Sequence, residues 1–377
     1  MIDRRPSPRF ARIALAAAFA TSTACVRPGE ERTERDLEVG RAEADGARAT
    51  VANGLALVRD VSSRRLELWS GAPSLDVDVE FDAPLSEGFE VLVHNSMTDA
   101  EIEVDSVPEA GAIVATDADP DDPVTLKRAR VRADGARSLR LRVGAPDRGV
   151  SGPFRFALLS DVQEAIDRVS DIFARINQEP DVRFVLGAGD LTEQGTAEQL
   201  ERFQRALRNL HAPYYATLGN HELGTSPPPW HDYFGRANFH FEFRSVHFSL
   251  LDSGSATLDP LVYGWLDAWL GAARDRVHVV LMHIPPLDPM GVRNGAFADR
   301  GEAGKLLTLL ANARVDLTLY GHIHSFYSFE NAGIPARISG GGGAIPERFD
   351  GIGRHFLSID ADPALGIGDI RVVRVDE

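Results

Sequence analysis

Phe154-Arg155-Phe156-Ala157-Leu158-Leu159-Ser160-Asp161-Val162-Gln163 decides the fold. Residues 154–160 read as a buried strand that ends on a carboxylate. Residues 164–177 follow with Ile166, Val169, Ile172, Phe173 and Ile176 on one helical face. The same grammar recurs downstream. Strand-like residues 182–186 lead to Gly189-Asp190, 214–218 to Gly219-Asn220-His221-Glu222, 277–282 to His283, and 315–320 to Gly321-His322-Ile323-His324. Helical patterns at 197–210, 259–270 and 302–311 lie between them, the second opened by Asp259 as N-cap and Pro260 at N1. Residues 239–243 and 246–251 read as a hairpin. This alternation predicts an α/β layered domain over residues 152–377, with polar loops gathered at the C-terminal ends of its strands.

Upstream the period changes. Leu66-Glu67-Leu68-Trp69, residues 75–81, 89–93, Ile102-Glu103-Val104 and 139–143 alternate apolar with polar, and no helical pattern intervenes. Residues 49–145 therefore read as a small all-β unit of antiparallel strands, an immunoglobulin- or fibronectin-like sandwich, joined to the α/β domain by a Gly/Pro-containing linker. Residues 26–48, rich in Arg, Glu, Asp, Gly and Ala, read as a solvated tether. Ahead of them, Arg4, Arg5, Arg9 and Arg12 precede an uncharged stretch that closes on Cys25, the chain's single cysteine. A positive segment before a short apolar one is a targeting signal, too short for a membrane span of roughly 20 residues. Its end resembles a bacterial lipoprotein signal, which implies export and a lipid anchor at Cys25; a simple secretory signal is the alternative.

The chain has 377 residues, enough for two cores, with 44% hydrophobic and 25% charged residues. Its formal charge of −16 and lack of basic runs argue against a nucleic-acid-binding surface. Bound cations can reverse the local field, so small anionic substrates stay open.

The strand-end fragments offer carboxylates, imidazoles and an amide, the donors of divalent cations. In order and spacing they resemble the calcineurin-like metallophosphoesterase superfamily, whose motifs run D-x-H, G-D, G-N-H-[DE], H and G-H-x-H. The resemblance covers residues from about 154 to 361 and includes Tyr233-Phe234-Gly235, Leu251-Asp252-Ser253 and the helix around Trp265-Leu266. It implies two divalent metal ions (Mn, Fe or Zn) and hydrolysis of a small phosphomonoester or phosphodiester substrate by a hydroxide that the ion pair activates. Residue by residue, it implies that Asp190 bridges the ions, that Asp161 and His324 hold the first, and that Asn220, His283 and His322 hold the second. His221 would stabilise charge on the phosphate or protonate the leaving oxygen. Singly, each residue also reads as a cap, turn or satisfied strand-end group.

One position departs from the pattern. Gln163 stands where the family places a histidine, so it ligates through its amide oxygen, reaches the ion through water, or leaves the first site partly filled. Purple acid phosphatases also place a β-sandwich before this domain, but Glu193 stands where that subgroup has a tyrosine. Glu222 reads as a supporting or capping group, His231 as a structural histidine with contact to substrate as the lesser alternative, and the glycines at 340–343 as a tight loop beside the site. The rival function is a non-catalytic envelope binding lipoprotein with a degenerate site.

Overall fold

The computed structural model describes residues 29–106, 113–116, 119–291, 295–347 and 351–375. The signal segment with Cys25 lies outside the described residues.

The chain enters through a helix, α1 (Glu30–Glu38), where the sequence predicts a solvated tether. The correction has a physical cause. Arg32, Thr33 and Asp36 are buried against the distal half of the chain, so the helix is held by polar contacts that no apolar pattern announces. Ten strands follow among the described residues: β1 (Arg41–Ala44), β2 (Ala47–Val51), β3 (Ala56–Val61), β4 (Arg65–Ser70), β5 (Ser74–Phe81), β6 (Phe89–His94), β7 (Glu101–Ser106), β8 (Ile113–Thr116), β9 (Lys127–Arg132) and β10 (Ser138–Gly144). They pair as β1-β2-β5-β10-β7 and β3-β4-β6-β9-β8. Val77, Val79, Leu139 and Leu141 of one sheet and Leu66, Leu68, Val91 and Val93 of the other share one core. The expectation of purely antiparallel strands fails at one pair. Because β5 crosses to the first sheet, β4 and β6 become neighbours and run parallel.

The remaining chain is an α/β sandwich. Its elements are β11 (Phe154–Leu159), α2 (Val169–Asn177), β12 (Val182–Ala188), α3 (Ala197–Ala206), β13 (Tyr214–Thr217), α4 (Trp230–Tyr233), β14 (Phe239–Phe243), β15 (Val246–Leu251), α5 (Pro260–Ala272), β16 (His278–Met282), α6 (Arg300–Asn312), β17 (Leu317–Tyr320), β18 (Phe326–Asn331), β19 (Ile334–Ser339), β20 (His355–Asp362) and β21 (Gly366–Arg374). One sheet has the order β13-β12-β11-β20-β21, the other β14-β15-β16-β17-β19-β18. β11, β12 and β13 run parallel, as do β15, β16 and β17, so their C-terminal ends can deliver loops to one edge. Aromatic rings lock the two sheets face to face. Phe156 meets Phe248 at 5.3 Å and Phe184 meets Phe248 at 5.4 Å, both edge-on, the geometry favoured by ring quadrupoles. Helix α2 starts later than its pattern suggests, because a 3-10 turn, Gln163–Arg168, first carries the chain away from the site.

On the outer face of the second sheet, His240, His247 and His278 sit on three adjacent strands under Trp269 of α5. The Ser249 hydroxyl lies 2.9 Å from His278 Nε2 and 3.1 Å from His240 Nδ1, and His240 Nε2 lies 3.1 Å from His247 Nδ1. Burial, then the neighbouring imidazole, pushes His240 down to about 4; the same causes push His278 down to about 3. Unfolding therefore takes up protons below the ordinary value of 6.5, and this contribution to stability is lost as pH falls from 6.5 toward 4. Urea unfolding across that window should show a stability slope that His278→Gln reduces by about one proton, or about 1.4 kcal/mol per pH unit. An unchanged slope would mean that the imidazoles stay charged.

Candidate metal centre and active site

Four residues at the strand ends, Asp161 (φ 63°), Gln163 (φ 48°), Asp190 (φ 52°) and His322 (φ 71°), adopt left-handed backbone. Such strain persists only where the surroundings over-determine it, and it collects at functional sites. Here the clamps are visible. The backbone N–H groups of Val162 and Gln163 donate to the Asp190 carbonyl at 2.8 and 3.1 Å, tying the first two loops together. The His322 N–H donates to both Asp161 carboxylate oxygens at 3.1 Å, tying the first loop to the last. A Cβ on Gly321 would stand 2.1 Å from Ser160 Oγ, and one on Gly219 2.1 Å from Asp190 Oδ1, so the loops meet only because these residues are glycine.

Within this frame all seven candidate ligands converge. Asp161, Asp190 and His324 bring one donor atom each within 4.8 Å of one another, and so do Asp190, His283 and His322. Asp190 belongs to both groups. Asn220 joins the second through Oδ1, 3.1 Å from His283 Nε2. The far nitrogens of His283 and His324 are committed to carbonyls, and this leaves their Nε2 atoms facing inward. His283 Nδ1–H donates to Ala188 O and His324 Nδ1–H to Ile345 O, both at 2.7 Å. Two donor sets with one shared carboxylate and mixed O/N chemistry fit a pair of divalent cations.

The electrostatics agree with that fit. Burial opposes ionisation of Asp190, but the charge and hydrogen bond of His283 and the nearby His221 outweigh it and hold the carboxyl well below the usual range. Burial likewise opposes charge on His283, yet Asp190 at 3.2 Å and then Asp161 lift it to about 9. A cation bound at His283 Nε2 must displace that proton, so metal uptake and proton release are linked.

Gln163 is only 4% exposed, and its amide points into the first group. Nε2 lies 3.0 Å from Asp190 Oδ2 and 3.1 Å from His324 Nε2. A half-turn of the terminal amide places Oε1 at the same point, so an oxygen donor would be available to an ion held by the first group without backbone movement. Imidazole binds Mn, Fe or Zn better than an amide does. In Gln163→His the first ion should bind tighter by on the order of tenfold, read by competition with a chelator. Unchanged retention would mean that the Gln163 amide lies outside the coordination sphere.

His221 sits on the open side of the cluster, its side chain 30% exposed. Its backbone N–H donates to Asp190 Oδ1 at 2.9 Å, and its Nδ1–H donates to the Glu193 carbonyl at 2.7 Å. Nε2 then faces the site, 3.9 Å from Asp190 Oδ2. The Glu193 carboxylate lies toward the opposite nitrogen, 3.7 Å from Nδ1, outside the two donor groups. Glu222 is a buried clamp: its carboxylate accepts from the backbone N–H groups of Asp190, Gly219 and Thr192 and from the Thr192 hydroxyl at 2.8–2.9 Å. Burial, then the Asp190 charge, pushes its carboxyl up to about 7. The glycine loop packs behind the ligands, with Gly342 N–H donating to Ser160 O and Ala344 N–H to Asp161 O. His231 is held as a structural residue, in line with the sequence reading, and not as a substrate contact. It is 3% exposed and bonded through Nε2 to Asp36 of α1 at 3.0 Å. The roles of Asp36, Arg32 and the Ile345 carbonyl had no sequence signal, since charged residues spaced four apart also describe a solvated helix.

The sequence model of the calcineurin-like phosphoesterase family matches residues 154–326. A 3',5'-cyclic-nucleotide phosphodiesterase of Nostoc sp. is 28% identical over 157 residues, 38% of this chain and 57% of that protein. Purple acid phosphatase 22 of Arabidopsis thaliana is 28% identical over 204 residues, 47% of this chain and 46% of that protein. The chain thus spans about half the length of these curated relatives. The solved structure of a purple acid phosphatase from yellow lupin (Lupinus luteus) seeds is similar with a TM-score of 0.53 at 14% identity, over 81% of this chain and 70% of that one, a likeness of fold. Strand order, clustered donors and motif match converge on residues 154–326 as the part of the chain that is similar to the calcineurin-like phosphoesterase family.

Proposed function

We propose that this protein is a metal-dependent phosphoesterase that holds two divalent ions, Mn, Fe or Zn, and hydrolyses a small phosphomonoester or phosphodiester. The observation that carries the reading is Asp190, one carboxylate shared by two donor groups, with His221 Nε2 beside it on the solvent side. Asp161, His324 and Gln163 would hold one ion; Asn220, His283 and His322 would hold the other, with Asp190 between them. Bound ions of this kind neutralise phosphoryl oxygens and make water nucleophilic at neutral pH. The chain's own part is to keep Asp190 ionised, to fix the imidazole tautomers of His221, His283 and His324 through backbone carbonyls, and to hold His221 where a leaving oxygen can take its proton. One curated relative is a cyclic-nucleotide phosphodiesterase and another a purple acid phosphatase, so both ester classes belong in the assay. Purified protein loaded with each metal should turn over at least one member of a panel of monoesters, diesters and nucleotides. Metal uptake without turnover of any would instead favour the envelope binding protein.

We further propose that the protein is exported and lipid-anchored at Cys25. With α1 docked, only three residues lie between Cys25 and Gly29, four Cα steps with a reach of at most about 14 Å, in contrast to a long tether. In a bacterial host, Cys25→Ser should abolish incorporation of labelled palmitate and move the protein from the membrane to the soluble fraction. Persistent labelling would defeat the assignment.

A further inference from the structure

Helix α1 presents an unusual buried face, made of Arg32, Thr33 and Asp36 in place of apolar side chains. Nine residues are too few for a helix to persist by itself, so its docking contacts hold it in shape. Asp36 is fully buried and spends both oxygens on one segment. Oδ1 accepts from Ala237 N–H at 2.7 Å and lies 3.0 Å from His231 Nε2; Oδ2 accepts from Asn238 N–H at 3.0 Å and from its amide at 2.9 Å. Asn238 passes the contact on, its Oδ1 accepting from Asp252 N–H at 2.8 Å. Arg32 grips the Asp252 carboxylate from above, Nε at 2.6 Å and Nη2 at 3.2 Å, and reaches Ser255 Oγ at 3.1 Å.

The loop held this way, residues 252–255, backs the metal centre. Ser253 Oγ accepts from Ile284 N–H at 2.7 Å, directly after His283. Gly254 packs so close to Gly219 that a Cβ there would stand 2.9 Å from its carbonyl, directly before Asn220. Thr217 Oγ1 donates to Ala237 O at 2.9 Å from the same strand end. The contacts from α1 therefore end on the backbone beside two of the three ligands of one donor group, Asn220 and His283. We propose that Arg32 and Asp36 are positioning residues for that half of the metal centre, and that α1 is a clamp that sets its geometry. The inference rests on the reading that Asn220, His283 and His322 hold an ion. Buried ion pairs contribute more to orientation than to net stability, and this suits a clamp.

The test uses the full chain with Arg32→Met, which leaves the Asp252 carboxylate without its cation, and Arg32→Lys, which keeps the charge but not the fork. In Arg32→Met, amide exchange in residues 215–222 and 280–286 should quicken by about tenfold or more while residues 47–81 exchange as in wild type. Equilibrium dialysis with Mn²⁺ should show one ion weakened by on the order of ten- to a hundredfold and the other unchanged, with Arg32→Lys intermediate. If Arg32→Met does not fold, the same comparison rests on Arg32→Lys. Unchanged exchange in both segments, or equal acceleration that includes residues 47–81, would overturn the clamp. Wild-type protein that takes up no Mn²⁺ would instead sink the proposed function, and the exchange pattern would still decide whether α1 orders the two ligand loops.

Discussion

Asp190→Asn should reduce the proposed phosphoesterase activity by at least about a thousandfold and empty both proposed ion sites together, as metal analysis of the purified variant would read. The expectation follows from how much converges on one side chain. Asp190 is 1% exposed and receives His221 N–H on Oδ1 and the Gln163 amide on Oδ2, and His283 Nε2 stands 3.2 Å from Oδ2. It is also the member common to both donor groups. Asparagine keeps an acceptor for His221 N–H, and the loop clamp from Glu222 grips the backbone of residue 190 and not its side chain. The fold should therefore survive, with an unchanged circular dichroism spectrum. A variant that retains two ions and more than about a tenth of the activity would show that the donor groups do not share this carboxylate.

The sequence made this site legible because each donor follows a run of buried strand residues, and strand ends in a parallel sheet converge. Asp161, Asp190, Asn220, His283, His322 and His324 could be named without coordinates because their fragments, in order and spacing, resemble the calcineurin-like motifs; singly, each also reads as a cap, turn or strand-end group. Gln163 was legible as a departure, but its approach to both Asp190 and His324 was not. That geometry depends on a left-handed backbone at residue 163, which nothing in a glutamine announces. Two of the strands the periodicity missed share a cause. Lys127–Arg132 hides only Ala129 and Val131 among four basic residues, and Ala47–Val51 hides two alanines and a valine, so their hydrophobic signal is weak. Partner choice was illegible as well. The parallel β4–β6 pair depends on β5 leaving for another sheet, a tertiary event with no local signature. Helix α1 is the extreme case, because a charged segment reads as solvated until its partners, some 200 residues away, are known.

His221→Ala should lower kcat by about a hundred- to a thousandfold, with metal content and unfolding temperature close to wild type. The side chain can be removed cleanly because the contact that supports the site, N–H to Asp190, belongs to the backbone. What disappears is one imidazole, held by the Glu193 carbonyl so that Nε2 faces the reacting phosphate in the proposed mechanism. Two chemical roles predict different patterns. If His221 gives its proton to the leaving oxygen, the loss should be large for alkyl esters. It should shrink by about tenfold or more for aryl esters, whose leaving oxygens need no proton. If it stabilises charge on the phosphoryl group, both substrates should lose equally. The open side favours the first role. The ring is 30% exposed, so it can exchange protons with solvent between turnovers, whereas the buried His283 has its two nitrogens committed to Ala188 and the metal-facing cluster. A comparison of kcat for an alkyl and an aryl phosphate ester, in wild type and His221→Ala, decides between them; equal losses would reassign His221 from acid to charge stabiliser.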